Sequence, residues 1–193
     1  MKLKDLDAIV SDDTVLFFDL DGTLVDTDYA NFLSYKKAVE FVTKSDCNID
    51  YNSDKRFNRT VLKTLFPNLT ETELSAIINE KEKYYSDFLQ ETKLNAEIAK
   101  FLFQYSITNK IILVTNCRRD RALATLAYHK LTDKFNYFFF RQFRENNEKI
   151  NKFQNAILSL GISPKWVIAF ENEEEEIADA KKAGIQNINP LNL

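Results

Sequence analysis

The sequence is short of glycine, cysteine and histidine. Its 193 residues include only 3 Gly, 2 Cys and 1 His. The two cysteines, Cys47 and Cys117, are too few for a disulfide framework or a zinc site, so we expect ordinary thiols in a reduced setting. Neither an internal repeat nor a low-complexity linker is visible along the chain.

Long apolar runs and a strong charge of one sign are also missing. No apolar run approaches the roughly 20 residues that cross a bilayer, so we expect no membrane partner. Residues 1–7 lack the apolar region of an export signal, which favours a cytoplasmic location. The net charge of −3 gives no general attraction to nucleic acid, and we expect no such partner.

The composition that remains is ordinary for a soluble globular protein. Apolar residues make up 45% of the chain and charged residues 28%, while 16 Phe and 8 Tyr supply bulk for a hydrophobic core. A chain of this length suits one domain, or a core domain with a modest inserted module.

Short apolar runs alternate with helical patterns along most of the chain. Such runs are typical of strands that are buried on both faces. They cover residues 15–18, 110–115, 136–140, 166–170 and, more weakly, 186–188. Strands that alternate with helices predict an α/β fold whose parallel sheet is covered by helices on both faces.

Residues 28–90 break this alternation. They show helical periodicity without a convincing strand, and Thr70 and Glu73 have the spacing of a capping box at a helix start. We therefore predict an all-helical module inserted after the first strand. Because active sites of open parallel sheets lie at the carboxyl ends of the strands, a module inserted there would lie over the site.

Two acidic residues, Asp19 and Asp21, follow the first apolar run directly, and Gly22 permits a tight turn after them. Carboxylates this close need a cation to offset their repulsion, and Mg²⁺ is the usual choice where phosphate is also bound. One carboxylate could then attack phosphorus while the other transfers protons. A calcium loop starting at Asp19 is excluded, because its twelfth residue would be Ala30 instead of Glu. Two exposed acids in a turn remain the structural alternative.

A family resemblance is carried by the segment that begins at Asp19, Asp-Leu-Asp-Gly-Thr-Leu-Val-Asp-Thr. It resembles the first motif of the haloacid dehalogenase-like hydrolase superfamily, in the branch with a helical cap. The resemblance implies an aspartyl-phosphate intermediate, with Asp19 as the nucleophile. It implies that Asp21 is the general acid/base and offers its backbone carbonyl to magnesium. We accordingly predict a Rossmann-like core from residues 1–26 and 91–193, and a cap from residues 27–90.

The resemblance also assigns a second and a third motif. Thr115 ends the next strand, where its hydroxyl and the following backbone N–H would hold the transferring phosphoryl group. The third motif is a lysine near a helix start, for which we choose Lys149, and Lys152, one helical turn away, is the alternative. The expected substrate-binding residues are Gly22, Thr23 and Asn116.

The fourth motif departs from the family pattern. Asn172 stands where the usual metal-binding Asp is expected, and Glu176 takes the second acidic place. Glu171, just before Asn172, resembles the Glu-Asp pair of the β-phosphoglucomutase-like branch. Asparagine can bind magnesium through its carbonyl oxygen, but it brings no negative charge. The predicted metal ligands are Asp19, Asp21, Asn172 and Glu171.

The leading functional prediction is a magnesium-dependent phosphatase that acts on a small phosphorylated metabolite. One alternative is a phosphomutase of the β-phosphoglucomutase type, in which the phosphoryl group passes to a sugar instead of water. Another is a protein that binds a phosphorylated ligand with little or no turnover. We expect a monomer or a weak homodimer. Arg118, Arg119 and Arg121 could touch phosphate, although such clusters are more often solvated helix starts.

Overall fold

Two units are distinguished in the computed structural model, which describes residues 6–146 and 148–190. Asp26–Lys93 forms the helical unit, and the described residues on either side of it form the sheet unit. The prediction that no export signal is present concerns residues 1–7. Residues 1–5 of that segment lie outside the described residues. In the described ranges, no helix is both long enough and apolar enough to cross a membrane.

Five of the seven strands in the described residues form one parallel sheet. The strands, in chain order, are β1 Val15–Phe18, β2 Val25–Asp26, β3 Lys93–Leu94, β4 Lys110–Val114, β5 Tyr137–Phe139, β6 Val167–Glu171 and β7 Asn187–Pro190. The parallel sheet has the order β5-β4-β1-β6-β7, and β2 pairs with β3 in a separate two-stranded sheet. The predicted α/β class with a parallel sheet is therefore confirmed.

The central strand of this sheet is β1, and all four of its residues are buried. It lies between β4 and β6, so that Phe18 aligns with Leu113 on one side and Phe170 on the other. A strand enclosed in this way needs apolar side chains on both faces, which explains its uninterrupted apolar run. The next residue, Asp19, consequently stands at the carboxyl edge in the middle of the sheet, where its N–H donates to the Phe170 carbonyl at 3.1 Å.

The sheet unit has helices on both faces of its sheet. Over both units, the helices in chain order are α1 Asp28–Thr43, α2 Arg59–Leu65, α3 Glu71–Tyr84, α4 Ala96–Tyr105, α5 Arg119–Tyr128, α6 Lys152–Leu160 and α7 Glu174–Lys182. Leu16 and Phe18 of β1 share an apolar core with α4 and α5, whereas Val15 and Phe17 share another with α6 and α7. Alternate residues of one strand thus anchor two layers of helices, as expected of a Rossmann-like core.

The helical unit has an apolar core of its own, built from α1, α2 and α3. Its buried members include Phe32, Tyr35, Val39, Leu62, Leu74 and Ile77. The predicted capping box opens α3, since Thr70 Oγ1 accepts from the Glu73 N–H at 3.2 Å and Glu73 Oε2 accepts from the Thr70 N–H at 2.9 Å. Each bond satisfies a backbone N–H that would otherwise lack a partner at the helix start. The predicted helical content is confirmed, and the role of this unit as a cap stays a prediction.

Candidate active site

The loop after β1 buries two carboxylates at the carboxyl edge of the sheet. Asp19 is 5% exposed and Asp21 is 7% exposed. Gly22 follows with a φ of 80°, a conformation that favours glycine, and its N–H donates to the Val25 carbonyl at 2.8 Å. A Cβ atom at Gly22 would lie 2.4 Å from the side-chain amide of Asn172. Glycine is therefore needed both for the turn and for the close approach of Asn172.

One buried ammonium, that of Lys152, binds three carboxylates. Its Nζ lies 2.8 Å from Asp19 Oδ1, 2.7 Å from Glu171 Oε2 and 3.7 Å from Glu176 Oε2. The Lys152 side chain is only 3% exposed, so these pairs are poorly screened by water and salt. Glu176 also pairs with Lys149, so two ammonium groups face three acids at this edge of the sheet.

Burial and opposite charges compete in setting the pKa values of this cluster. Burial raises the pKa of Asp19, while the Lys152 ammonium acts to lower it. Burial, followed by the charge of Asp19, raises the pKa of Glu171 to about 7. Burial would lower the pKa of Lys152, but the surrounding carboxylates outweigh it and the pKa rises above its usual value. The lysine therefore stays charged and can offset negative charge on a bound phosphoryl group.

The lysine that reaches Asp19 is Lys152, so our choice of Lys149 for the third motif is corrected. Lys149 pairs instead with Glu176 Oε1, and its side chain is 39% exposed. It precedes α6, in a segment that forms an isolated β-bridge with Phe143. Lys152 is the first residue of α6 itself, and side chains on a helix tilt toward its N-terminus, which here brings the ammonium to the strand ends.

Thr115 and Asn116 lie where β4 ends. Thr115 is fully buried, its N–H donates to the Phe139 carbonyl at 2.9 Å, and its Oγ1 accepts from the Cys117 N–H at 3.1 Å. The side-chain nitrogen and oxygen of Asn116 are buried and have no hydrogen-bond partner among the described residues. Unpartnered buried amides are rare, because each unmade bond costs about 1–3 kcal/mol. The Asn116 amide is thus suited to bind a group of the substrate.

Arg121 is one of the three arginines for which the sequence left two interpretations open, a contact to phosphate or a solvated helix start. Its Nη2 pairs with Asp21 Oδ2, and its Nε donates to Cys117 Sγ at 2.9 Å. The side chain is 11% exposed, which corrects the interpretation of this arginine as part of a solvated helix start. The signal that could have identified it is its position in the first turn of α5, the helix that follows Thr115 at the same edge of the sheet as Asp21.

The side-chain amide of Asn172 lies among oxygen atoms of the first and fourth motifs. One end of the amide lies 3.0 Å from Thr23 Oγ1, 3.3 Å from the Asp21 carbonyl oxygen and 3.3 Å from Glu171 Oε1. With its nitrogen at this end, the amide donates to all three oxygens. With its oxygen there, it accepts from Thr23 at 3.0 Å and faces two further acceptors. Without a cation the nitrogen orientation is therefore favoured, because acceptor oxygens repel one another.

Comparison with known proteins assigns the fold and these motifs to a family. A family model described as haloacid dehalogenase-like hydrolase matches residues 16–189, from β1 to β7. This chain belongs to the haloacid dehalogenase-like hydrolase family. The family membership predicted from the first motif is confirmed.

Relatives of this haloacid dehalogenase-like hydrolase match it over most of their lengths. A protein of Thermotoga maritima called phosphorylated carbohydrates phosphatase is 26% identical over 185 residues, which cover 90% of this chain and 82% of that protein. A haloacid dehalogenase-like family hydrolase from Streptococcus pneumoniae has a TM-score of 0.71 at 18% identity, covering 92% of this chain and 84% of its own. CbbY from Rhodobacter sphaeroides, solved in complex with phosphate, has a TM-score of 0.73 at 14% identity, covering 92% and 86%. These two structures share the fold of this chain.

The candidate metal ligands of this hydrolase are oxygen atoms, which suit magnesium. They carry less negative charge than the family pattern predicts. The Asp19 carboxylate, the Asp21 carbonyl and the Asn172 amide can all offer oxygen, the ligand that Mg²⁺ prefers. When the Asn172 oxygen faces the Asp21 carbonyl, the two oxygens lie 3.3 Å apart, a spacing that fits neighbouring ligands of one cation. In the part of the chain that the structure describes, no group of three or more His, Cys, Asp or Glu side chains is arranged to hold a metal ion. Metal binding would therefore depend on the neutral ligands.

Proposed function

We propose that this chain is a magnesium-dependent phosphatase that hydrolyses a small phosphorylated metabolite through an aspartyl-phosphate intermediate. The observation that carries this proposal is the buried pair between Asp19 and Lys152 at the end of the central strand. A carboxylate in this position can act as a nucleophile. The ammonium 2.8 Å away offsets the negative charge of the phosphoryl group that the carboxylate would receive.

The reaction would take place in two steps at Asp19. In the first step a carboxylate oxygen of Asp19 attacks phosphorus, the bond to the leaving oxygen breaks, and Asp21 gives that oxygen a proton. In the second step water attacks the phosphorus of the aspartyl-phosphate and Asp21 takes its proton, which releases inorganic phosphate and restores Asp19. The Thr115 hydroxyl and the Asn116 backbone N–H would hold the phosphoryl oxygens, while Lys152 offsets their charge.

The residues that would hold magnesium are Asp19, the backbone carbonyl of Asp21, and Asn172 with its amide oxygen turned inward. Glu171 is a weaker choice, because its Oε1 already accepts from the Asn172 N–H at 2.9 Å and its Oε2 binds Lys152 at 2.7 Å. When bound, magnesium would supply positive charge that offsets the charge of the phosphate ester.

A phosphorylated carbohydrate is the substrate class that we propose to test first. Support comes from the Thermotoga maritima relative, which carries that class in its name and matches 90% of this chain. The first motif of this chain, together with Lys152 beside Asp19, supplies the groups that attack on a phosphate ester requires.

The test is phosphate release from a panel of sugar phosphates, measured with MgCl₂ and with EDTA, for the wild type, Asp19→Asn and Asp13→Asn. Asp13 is exposed and lies before β1, so Asp13→Asn removes the same charge without touching the site. We expect magnesium-dependent release by the wild type and Asp13→Asn, and only background release by Asp19→Asn. Release that survives in Asp19→Asn would overturn the proposed nucleophile.

Two other outcomes would replace the proposal with one of its alternatives. An isomerised sugar phosphate without free phosphate would identify a phosphomutase, since the intermediate would then transfer its phosphoryl group to a sugar hydroxyl. Binding of a sugar phosphate, seen by calorimetry, with no product of either kind would identify a binding protein.

A further inference from the structure

Arg121 contacts a residue of the proposed reaction but has no role in its two steps. Its Nη2 pairs with Asp21 Oδ2, the carboxylate that would protonate the leaving group. The two side chains are 11% and 9% exposed, so the pair is largely withdrawn from water. A buried, charge-assisted pair of this kind fixes the orientation of the Asp21 carboxyl group, because a guanidinium donates along set directions in its plane.

Cys117 holds the other side of this guanidinium. Arg121 Nε donates to Cys117 Sγ at 2.9 Å, and the Cys117 backbone N–H donates to Thr115 Oγ1 at 3.1 Å. Cys117 is only 3% exposed, and its side chain also contacts the Asp21 carboxylate. Its sulfur can therefore hold the guanidinium at Nε while Nη2 pairs with Asp21.

From this geometry we infer that Arg121 is a positioning residue, which holds the Asp21 carboxyl group toward the leaving oxygen and is itself held in place by Cys117. The inference rests on the proposed phosphatase function. It links the first motif to the second through side chains, since Asp21, Arg121 and Cys117 form one continuous set of contacts that ends at Thr115.

The role predicts a dependence on the leaving group. In the first step Asp21 must enter as the protonated carboxylic acid, with Arg121 donating to its Oδ2. The P–O bond then breaks, and the leaving oxygen takes the electron pair together with the proton of Asp21. An alkyl phosphate needs that proton, because an alkoxide is a poor leaving group. A p-nitrophenyl phosphate needs it much less, because p-nitrophenolate is stable without it. Misplacing Asp21 should therefore slow hydrolysis of the alkyl ester far more than hydrolysis of the aryl ester.

The experiment compares kcat and KM for an alkyl sugar phosphate and for p-nitrophenyl phosphate in the wild type, Arg121→Met, Arg121→Lys and Arg144→Met. Arg144 lies in the same unit, its side chain is 61% exposed, and its replacement removes the same charge, which makes Arg144→Met the matched control. In Arg121→Met we expect kcat for the alkyl ester to fall by roughly 100-fold and kcat for the aryl ester by only a few-fold, with KM nearly unchanged. Arg121→Lys should restore part of the loss, and Arg144→Met should behave as the wild type.

A second variant keeps the test informative if Arg121→Met folds poorly by circular dichroism. Cys117→Ala leaves both charges in place and removes the thiol contacts to Arg121 Nε and to the Asp21 carboxylate. It should show a smaller loss, again greater for the alkyl ester than for the aryl ester. An equal loss for both esters in these variants would indicate general disruption and overturn the inference. A raised KM with unchanged kcat would also overturn it, because Arg121 would then bind substrate. If the wild type hydrolysed neither ester, the proposed function would fail together with the inference, whereas unchanged kinetics in Arg121→Met would overturn the inference alone.

Discussion

Two ion pairs, one from each unit, differ sharply in burial. In the helical unit, Lys63 pairs with Glu71 at 2.9 Å while the two side chains remain 50% and 77% exposed. In the sheet unit, Lys152 pairs with Glu171 at 2.7 Å with exposures of 3% and 1%. Water and salt screen the first pair, so it contributes little to stability. The second pair has lost its hydration, so each partner depends on the other.

This difference in burial indicates which charged pairs take part in function. Burying charge is costly, and a fold that needed only stability would fill the same space with apolar side chains. The sheet unit nevertheless buries Lys152 with Asp19, and Arg121 with Asp21, at the loop that follows its central strand. Buried ionisable groups that perturb one another are typical of catalytic sites. Lys81 of the helical unit is buried as well, but Glu82, with which it pairs, is the next residue in the chain and is 20% exposed. The buried pairs of the sheet unit join residues that are far apart in the chain, and they are therefore the candidates for chemistry.

The largest effect is expected for Lys152→Met, which keeps an unbranched side chain and removes its charge. Asp19 and Glu171 would remain buried without their ammonium, so the free energy of unfolding should fall by about 3–5 kcal/mol. Phosphate release should fall by roughly 100-fold or more, because the ammonium that offsets charge beside the nucleophile would be lost. Urea unfolding and phosphate release, both measured well below the thermal midpoint, check these two values.

Lys149→Met is the matched control for this prediction. Lys149 is 39% exposed and contacts Glu176 but not Asp19 in the described structure, so its loss should change stability and activity only slightly. If Lys149→Met abolished activity while Lys152→Met did not, Lys149 would be the lysine of the third motif after all.

The choice between these two lysines shows how far the sequence alone could go. The apolar run before Asp19, the alternation of strands and helices, and the capping box at Thr70 are local patterns, and local patterns predict local structure well. The contact between Lys152 and Asp19 joins residues that are far apart in the chain, and it depends on where α6 begins. A difference of one helical turn in that start decides which ammonium reaches the strand end.

Arg121 and Asn172 were harder to interpret for the same reason. An arginine in the first turn of a helix usually faces water, and only the packing of α5 beside β1 brings Arg121 to Asp21. The substitution of Asn172 for an acid could be read from the motif. The direction of its amide could not, because it is set by the Asp21 carbonyl and by Glu171.

A smaller effect is expected for Asn172→Asp, which adds a carboxylate to the buried cluster. Asn172 lies 3.3 Å from the Asp21 carbonyl oxygen, so the new charge would face the predicted cation. Because ligand charge strengthens binding of hard cations, affinity for Mg²⁺ should rise by roughly tenfold. The added charge also repels Glu171, so the variant should be less stable than the wild type when EDTA is present. Calorimetric titration with MgCl₂ measures the affinity without any substrate.

Gln186→Glu is the control for charge alone, because Gln186 is exposed in the same unit and gains the same negative charge. Its affinity for Mg²⁺ should equal that of the wild type. An unchanged affinity in Asn172→Asp would show that this side chain does not bind the cation, and the proposed set of ligands would then have to be revised.

The smallest effect is expected for Lys63→Met, the same substitution as in Lys152 made at an exposed pair. Lys63 contacts Glu71 at 2.9 Å, yet both side chains lie mostly in water, and methionine is tolerated about as well as lysine in a helix. We expect the urea midpoint and phosphate release to match those of the wild type. Any small difference at low salt should disappear at about 0.5 M NaCl, where the Debye length is only a few ångströms. A loss comparable to that of Lys152→Met would show that burial does not separate the two kinds of pair, and the assignment of function to the buried pairs would lose its basis.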